Sequence, residues 1–418
     1  MDDFYSLYNR VINAAANKNL EVFTAAEKPF DVDRRNLDCL LNPEKYPPVI
    51  RISDCDHCNE QEKDDCENVC FFDAIKRDGN GNMIISKENC TGCGDCIEKC
   101  KYHNLTDRKD ILPLFELLHK KEVPVYAMIA PAFIGQFEEN ITPGKLRAAF
   151  KKLGFAGMIE VALFADILTL KEALEFDLHI QKSEDFMLTS CCCPIWIAMI
   201  RKVYSQLVPH IPPSVSPMTA CGRSVKKIRP EAVTVFIGPC VAKKAEAREK
   251  DIKDATDYVL TFKEMKDLFD AAGINPALLE EDDKDHSSLA GRIYARTGGV
   301  SKAVQTTLDK LKPDRKIPVI AAQGDGTPDC KLLLNSLLKG EVKANFIEGM
   351  GCKGGCVGGP KAIIPKEEGT AHVNRYANEA TYETPADNPY VIELLHRLGF
   401  DSIEALLERD NFFIRNFD

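Results

Sequence analysis

Eight of the 17 cysteines in this 418-residue chain fall within residues 49–106, as two runs of four. One run is Cys90-x2-Cys93-x2-Cys96-x3-Cys100 and the other is Cys55-x2-Cys58-x7-Cys66-x3-Cys70. An odd total, with Cys191, Cys192 and Cys193 adjacent, makes a poor disulfide framework. The N-terminal stretch MDDFYSLYNR is acidic and has no apolar core, so no signal peptide is read there. No run approaches the ~18 apolar residues of a membrane span. Without export, clustered cysteines point to metal or redox chemistry in a reducing cytoplasm. A net charge of -10 disfavours nucleic acid and acidic membrane surfaces as partners.

The spacing of the second run, Cys90 to Cys100, is that of a bacterial ferredoxin. A tight loop lets three thiolates face one [4Fe–4S] cube, and the fourth cysteine reaches the neighbouring cube. Gly92 and Gly94 let the backbone curl around the sulfides. The first run carries five extra residues in its middle loop. Crossed ligation assigns one cube to Cys55, Cys58, Cys66 and Cys100, and the other to Cys90, Cys93, Cys96 and Cys70. Zinc is the alternative for four cysteines at short spacing, but two interlocked runs favour two cubes. Such a pair is an electron wire, and it implies redox chemistry in the domain behind it.

The chain divides into residues 1–48, with one helical pattern, a ferredoxin-like α+β module at 49–108, a large domain at 115–365 and a polar tail at 366–418. In the large domain, apolar runs at 123–129, 158–164, 233–237, 317–321 and 344–347 alternate with amphipathic stretches. That alternation predicts an α/β domain built on parallel strands. In the tail one helix is expected over Pro389–Leu398, ended by Gly399.

Three further cysteine motifs fall on separate loops of the large domain. The first is Thr189-Ser190-Cys191-Cys192-Cys193-Pro194-Ile195-Trp196, where Pro194 opens a helix and the dipole favours thiolate at its start. The second is Gly238-Pro239-Cys240-Val241-Ala242-Lys243-Lys244-x-Glu246, at a strand-to-helix turn. The third runs from Glu348 to Pro360 and contains Met350, Cys352 and Cys356, with glycines expected to let the backbone approach a bulky cofactor. Singly, each has a bland reading as core cysteine or tight turn.

Together, downstream of the ferredoxin-like module, the three motifs resemble the signatures of the [FeFe]-hydrogenases over roughly residues 50–365. The Cys-Cys-Cys-Pro-x-Trp run is similar to the subgroup called group B. The resemblance implies two parallel-sheet lobes around an H-cluster. Cys193, Cys240, Cys352 and Cys356 would hold a third [4Fe–4S] cube. Cys356 would also bridge to a di-iron unit carrying CO, CN⁻ and a dithiolate. Lys243 would donate to a cyanide, Met350 would pack beside the di-iron unit, and Ala130, Pro131, Pro217 and Tyr294 would line the pocket. A small ferredoxin as electron carrier and dedicated maturation proteins are the partners it implies.

The resemblance also implies a proton route. Cys192 would exchange protons with the bridging amine and pass them to Glu172 and then Glu175, which share one face of a helix predicted over Asp166–Ile180. Read without the family, both glutamates would be solvated helix residues. The chain departs from the pattern here, with Pro212 at a usual relay serine and His179 at a usual outer arginine. Ser214, Ser216 or water could substitute for the serine. Gly238, Met218 and Ala132 replace a usual Met, Gln and Ser, so an altered potential, oxygen sensitivity or catalytic bias is expected. Cys191 is read as a passive neighbour, and Cys39, Cys221 and Cys330 as ordinary core or surface thiols.

The expected activity is reversible reduction of protons to H2 with electrons from reduced ferredoxin. The alternatives are a hydrogen sensor and a non-catalytic iron–sulfur carrier of the same fold. A sensor would normally carry an appended signalling domain, and a carrier would not need Cys192, Glu172 and Lys243.

Overall fold

The computed structural model describes residues 3–20, 33–189, 192–282, 284–408 and 411–417. Cys191 and Ser190 of the first motif lie outside them, so the reading of Cys191 has no structural counterpart.

The cysteine-rich segment is built from two short antiparallel pairs. Strand β1 (Val49–Arg51) pairs with β4 (Leu105–Asp107), and β2 (Ile75–Arg77) pairs with β3 (Met83–Ile85). Its interior is small. Val49, Ile75, Met83 and Leu105 pack with Cys55, Cys66, Cys96 and Cys100, so half of that core is sulfur. The five extra residues of the first run do not form the loop expected from the sequence. They extend a helix, Glu60–Asn68. Its entry is fixed by a capping box in which Glu62 N–H donates to Asn59 Oδ1 at 2.9 Å and Asn59 N–H donates to Glu62 Oε2 at 3.0 Å.

The large domain carries two all-parallel sheets. One has the order β6-β5-β8-β9, from β5 (Val125–Ile129), β6 (Gly157–Glu160), β8 (Val233–Gly238) and β9 (Tyr258–Thr261). The other has the order β10-β11-β7, from β7 (Met187–Leu188), β10 (Ala321–Asp325) and β11 (Phe346–Met350). This is the α/β class expected from the alternation of strands and helices. The strand edges differ from expectation in two places. Residues 162–164 already belong to the helix Ala162–His179, because a fully buried helix is as apolar as a strand over so few residues. The apolar run at 317–321 only leads into β10, whose residues are small or polar and mostly exposed or half-exposed.

The helix Ala162–His179 lies between the lobes and is buried on nearly every side. The helix Pro217–Ile228 packs against it and against β8. The N-terminal helix Phe4–Ala16, capped by Asp3, packs on Phe262–Ala271. The helix Arg34–Leu41 follows Asp33 in the same way. In the tail, Pro389–Arg397 forms the expected helix, and Gly399 takes a φ of 89° just beyond it. A second tail helix, Lys366–Asn378, was not anticipated, because its polar faces show little periodicity. It is tied in by Arg296, which donates to Asn374 at 2.8 Å, and by Arg292, which donates to the Tyr376 carbonyl at 2.7 Å. Among the described residues, no helix is long and apolar enough to cross a membrane.

Candidate metal centre and active site

In the small module the eight cysteines fall into the two groups of the crossed arrangement. Burial, then neighbouring Cys100, Cys58 and Cys55, push the Cys66 thiol up to about 11. Burial, Cys55 and Cys100 raise Cys58. In the other group, burial, Cys93, Cys90 and Cys70 raise Cys96. Burial comes first for Cys93 also, with Asp95 next and Cys90 and Cys70 beyond, and its thiol is pushed up to about 12. A small cavity opens between Cys70, Cys90, Cys93 and Cys96, walled by Val49 and Ile75.

This second group abuts the large domain. A side chain at Gly92 would meet the backbone of Val241 and Ala242 at 3.0 Å, and one at Gly94 would meet Pro360 at 3.5 Å. Both glycines have positive φ, 74° and 93°, so the turns and the close approach depend on them together. The segment thus leans on the second and third motifs.

Cys193, Cys240, Cys352 and Cys356 share one region. Burial, then Cys193, raise Cys240 to about 11. Burial, then Cys240 and Cys193, raise Cys356 to about 12. Burial, Cys240, Cys193 and Cys356 all raise Cys352, and Asp95 of the small module also reaches it. Cys193 is the N-cap of the helix Pro194–Lys202, as its position before Pro194 predicts. Its Sγ accepts from the Gly351 N–H at 3.2 Å. The sulfurs are neighbours without meeting at a point. Among the described residues, no three His, Cys, Asp or Glu side chains could hold one metal ion. Four neighbouring thiols, Cys193 buried and the other three half-buried, repel as thiolates, and an electropositive iron cage among them would relieve that. The donor set therefore fits an iron–sulfur group.

Lys243 is buried and pairs with Glu246 at 2.6 Å. Burial opposes its charge, but Glu246, Cys240 and Cys356 outweigh that and hold its pKa above the ordinary value. Its Nζ completes no well-aligned hydrogen bond, and neither do the Glu246 oxygens. Met350 is buried, and the half-buried Cys192 lies 3.9 Å from its sulfur. Ala130 and Pro131 leave the carboxyl end of β5 beside Gly238, where an added Cβ would meet Ala130 at 3.0 Å and the Phe236 ring at 2.8 Å. Phe236 thus fills the space next to Gly238. Tyr294 is buried, and Thr169 Oγ1 donates to its hydroxyl at 2.8 Å. Pro217 is buried at the start of its helix, after the Ser216 cap.

Glu172 and Glu175 are 1% and 3% exposed, so they are not solvated helix glutamates. The helix is sealed on that side by its neighbours, which its own sequence does not reveal. Lys171, not singled out in the sequence, is equally buried and pairs with Glu175. His179 is exposed, one turn further on.

Three other residues escaped the sequence reading. Asp325 Oδ1 accepts from Gly354 N–H and from Thr297 Oγ1, each at 2.6 Å, and holds the turn of the third motif. Glu348 accepts from the N–H groups of Gly298 and Ser301, each at 2.8 Å. Cys330 is a core thiol, as expected. It lies near Cys193, and its Sγ donates towards the Gly324 and Met350 carbonyls at 3.4 Å. Asp95 faces both cysteine clusters. Glu348 and Asp95 stood inside readable motifs. Asp325 is an isolated polar residue whose partners are distant in sequence.

The glycines of the third motif also need correction. A Cβ at Gly349 would lie 2.0 Å from the Trp196 ring, and one at Gly351 2.6 Å from Ile195. These two admit the first-motif helix, not a cofactor.

Residues 123–360 match the family model described as iron only hydrogenase large subunit, C-terminal domain. The chain is 29% identical over 298 residues to the periplasmic [Fe] hydrogenase large subunit of Nitratidesulfovibrio vulgaris, covering 58% of this chain and 70% of that one. It is 28% identical to iron hydrogenase 1 of Clostridium pasteurianum, covering 58% of this chain and half of that one. It is also 23% identical to cytosolic iron-sulfur assembly component 3 of Bos taurus, covering 77% and 83%. Among solved structures, an [FeFe]-hydrogenase HydA(deltaEFG) superposes with a TM-score of 0.58 at 22% identity, over 74% of this chain and 99% of that one. That likeness speaks to the fold. The matched model spans more than half of the sequence, and the chain therefore belongs to the iron-only hydrogenase family.

Proposed function

We propose that this chain is an [FeFe]-hydrogenase that reduces protons to H2, reversibly, with electrons from reduced ferredoxin. The observation that carries the reading is the grouping of Cys193, Cys240, Cys352 and Cys356 in one region, the first buried and the others half-buried, with Cys192 beside Met350 of the third motif. In this reading the four cysteines hold a third [4Fe–4S] cube, and Cys356 also reaches a di-iron unit with CO, CN⁻ and a dithiolate. When bound, that unit supplies the centre where protons and electrons combine.

The chain's own residues do the rest. The two cysteine groups of the small module would hold cubes, which would supply electron transfer, and Gly92 and Gly94 keep the nearer group against the second and third motifs. Lys243, held cationic by Glu246, presents a buried donor for an anionic ligand. Met350, Ala130, Pro131, Pro217 and Tyr294 wall the site and exclude water. Cys192 exchanges protons with the centre, and Glu172 and Glu175 carry them outward along one helix face. Ferredoxin is the electron partner, and maturation proteins install the di-iron unit.

The second reading, a non-catalytic iron–sulfur carrier, is favoured by the likeness to the Bos taurus assembly component, which spans most of both chains. Infrared spectroscopy of the matured protein separates the two. The hydrogenase reading expects sharp CO and CN⁻ bands together with H2 turnover. A protein that holds its cubes yet shows neither after maturation is a carrier. Cys192→Ala should lose turnover by roughly a hundredfold or more with the bands retained, and wild-type rates in that variant would move the proton entry elsewhere.

A further inference from the structure

We propose that Thr327 and Cys330, at the head of the helix Thr327–Leu338, are positioning residues that aim the Gly351 N–H at Cys193 and so set the reduction potential of the third cube. The proposal rests on that cube and not on the di-iron unit, so it applies to an enzyme and to a carrier alike.

The Gly351 N–H donates to Cys193 Sγ at 3.2 Å. Gly351 has no side chain to hold it, and none would fit, because a Cβ there would lie 2.6 Å from Ile195. Its amide must be held through its neighbours. A peptide unit is planar, so the Met350 carbonyl and the Gly351 N–H turn together. That carbonyl accepts from Gly326 N–H at 2.8 Å and from the Cys330 thiol at 3.4 Å. The next carbonyl, that of Gly351 itself, accepts from Thr327 Oγ1 at 3.2 Å. The peptide units on both sides of Gly351 are therefore pinned by one short segment, residues 326–330.

That segment is itself fixed. Cys330 N–H donates to the Gly326 carbonyl at 3.0 Å and closes the first helical turn. Cys330 is fully buried, and its thiol also points at the Gly324 carbonyl, at 3.4 Å. The thiol fits because position 324 is glycine, where a Cβ would lie 2.9 Å from the sulfur. The consequence is electrostatic. An electron added to a cube spreads negative charge onto its thiolates, and an N–H aimed at one of them stabilises the reduced state. Donors on the Met350 carbonyl polarise the same peptide and strengthen its N–H, by about 10–30% per bond. Loss of aim or of polarisation therefore lowers the potential.

The test reads potential rather than turnover, in the full chain carrying its cubes without the di-iron unit. The cubes are titrated with a chemical reductant and followed by electron spin resonance, and the third is assigned as the signal lost in C193A. The double variant T327V/C330A removes both side-chain donors. Its third signal should need a more reducing solution, with the ratio of reduced to oxidised cube at a fixed potential falling about tenfold, or about 59 mV. The two module signals should stay in place, and T327S, which keeps the hydroxyl, should titrate like wild type. An unchanged third signal in the double variant overturns the proposal. So does an equal shift of all three signals, which would report loosened packing. If the double variant does not assemble its third cube, T327V against T327S decides: a lower potential in T327V supports the proposal, and equal potentials overturn it. A wild-type chain with only two signals, both unchanged in C193A, sinks the third cube and this proposal with it. Absent CO and CN⁻ bands after maturation sink the hydrogenase reading alone and leave the shift of the third signal as expected.

Discussion

Asp166 is fully buried in the helix between the lobes. It accepts from Ser288 N–H at 2.7 Å and from the Ser288 hydroxyl. Burial raises its pKa to about 7, against the pull of those donors. Between the ordinary aspartate range near 4 and that value, the folded chain binds a proton that the unfolded chain does not. Stability must then fall as pH rises through that window and level off above it. Asp166→Asn keeps an acceptor and cannot ionise. It should unfold in urea much like wild type near pH 4 and gain on it by a few kcal/mol by pH 8. Parallel profiles for the two proteins would show that Asp166 does not titrate there. Gly349→Ala tests packing in the same way. The added methyl would sit 2.0 Å from the Trp196 ring. It should cost about 3 kcal/mol or more, seen as a lowered Tm. Asp166 shows why single residues were hard to read from sequence. The cysteines declare themselves by spacing, whereas Asp166, Lys171 and Asp325 are ordinary charged letters. Their roles come from partners such as Ser288, Pro213 and Gly354, which no local pattern links to them.

The elements divide along the same line. Parallel strands such as β5 and β8 are read from apolar runs because both faces are covered. The helix Glu60–Asn68 was missed because Cys66 alone of its residues is buried and it shows no apolar stripe. Its signal lies in the capping box Asn59-x-x-Glu62 instead. Asn59→Ala should cost about 1 kcal/mol, and hydrogen exchange in that helix should quicken while exchange in β5 and β8 does not. The small module as a whole makes a stronger prediction. On the proposed reading that it holds iron–sulfur cubes, half of its inner core being cysteine leaves its apolar burial too slight to order it without them. Stripping iron should release amide protection across residues 49–107 first and leave β5, β8 and β11 protected. Uniform protection through the stripped chain would mean that the module stands on its own packing.

At the scale of the molecule, one charge network joins the small module to the loops of the second and third cysteine motifs. Asp107, at the end of β4, accepts from Lys109 at 3.0 and 3.1 Å and pairs with Lys361 at 2.6 Å. Lys361 directly follows Pro360 of the third motif. Lys244, next to Lys243 of the second motif, pairs with Glu264 at 2.8 Å and donates to the Arg108 carbonyl at 2.5 Å. Glu264 in turn accepts from Asp110 N–H at 2.8 Å. The N-terminal helix closes the same region through Tyr8, which donates to Asp267 at 3.1 Å, and through a 2.9 Å hydrogen bond between the Tyr5 and Thr106 hydroxyls. The linker 107–110 is thus clamped to both loops that carry the candidate ligands, with Gly92 and Gly94 pressed against them from the module side. Burial opposes the Asp107 charge, but Lys109, Lys361 and Lys244 outweigh it and hold the pKa far below the carboxylate range. A depressed carboxylate lends stability that is complete above the ordinary range and is lost only as pH falls towards the folded value. Asp107→Asn leaves two buried ammonium groups without their anion and should cost about 3–5 kcal/mol at neutral pH. Because the loss falls at a joint, on the proposed reading that both regions hold cubes these should also couple less strongly in electron spin resonance in the variant than in wild type. The triple change of Asp107, Lys109 and Lys361 to apolar residues of similar size separates the two effects. It removes the uncompensated charges, so it should recover most of the stability. If coupling recovers with it, packing alone fixes the joint; if only stability returns, the ion network is what sets the spacing between the module and the two loops.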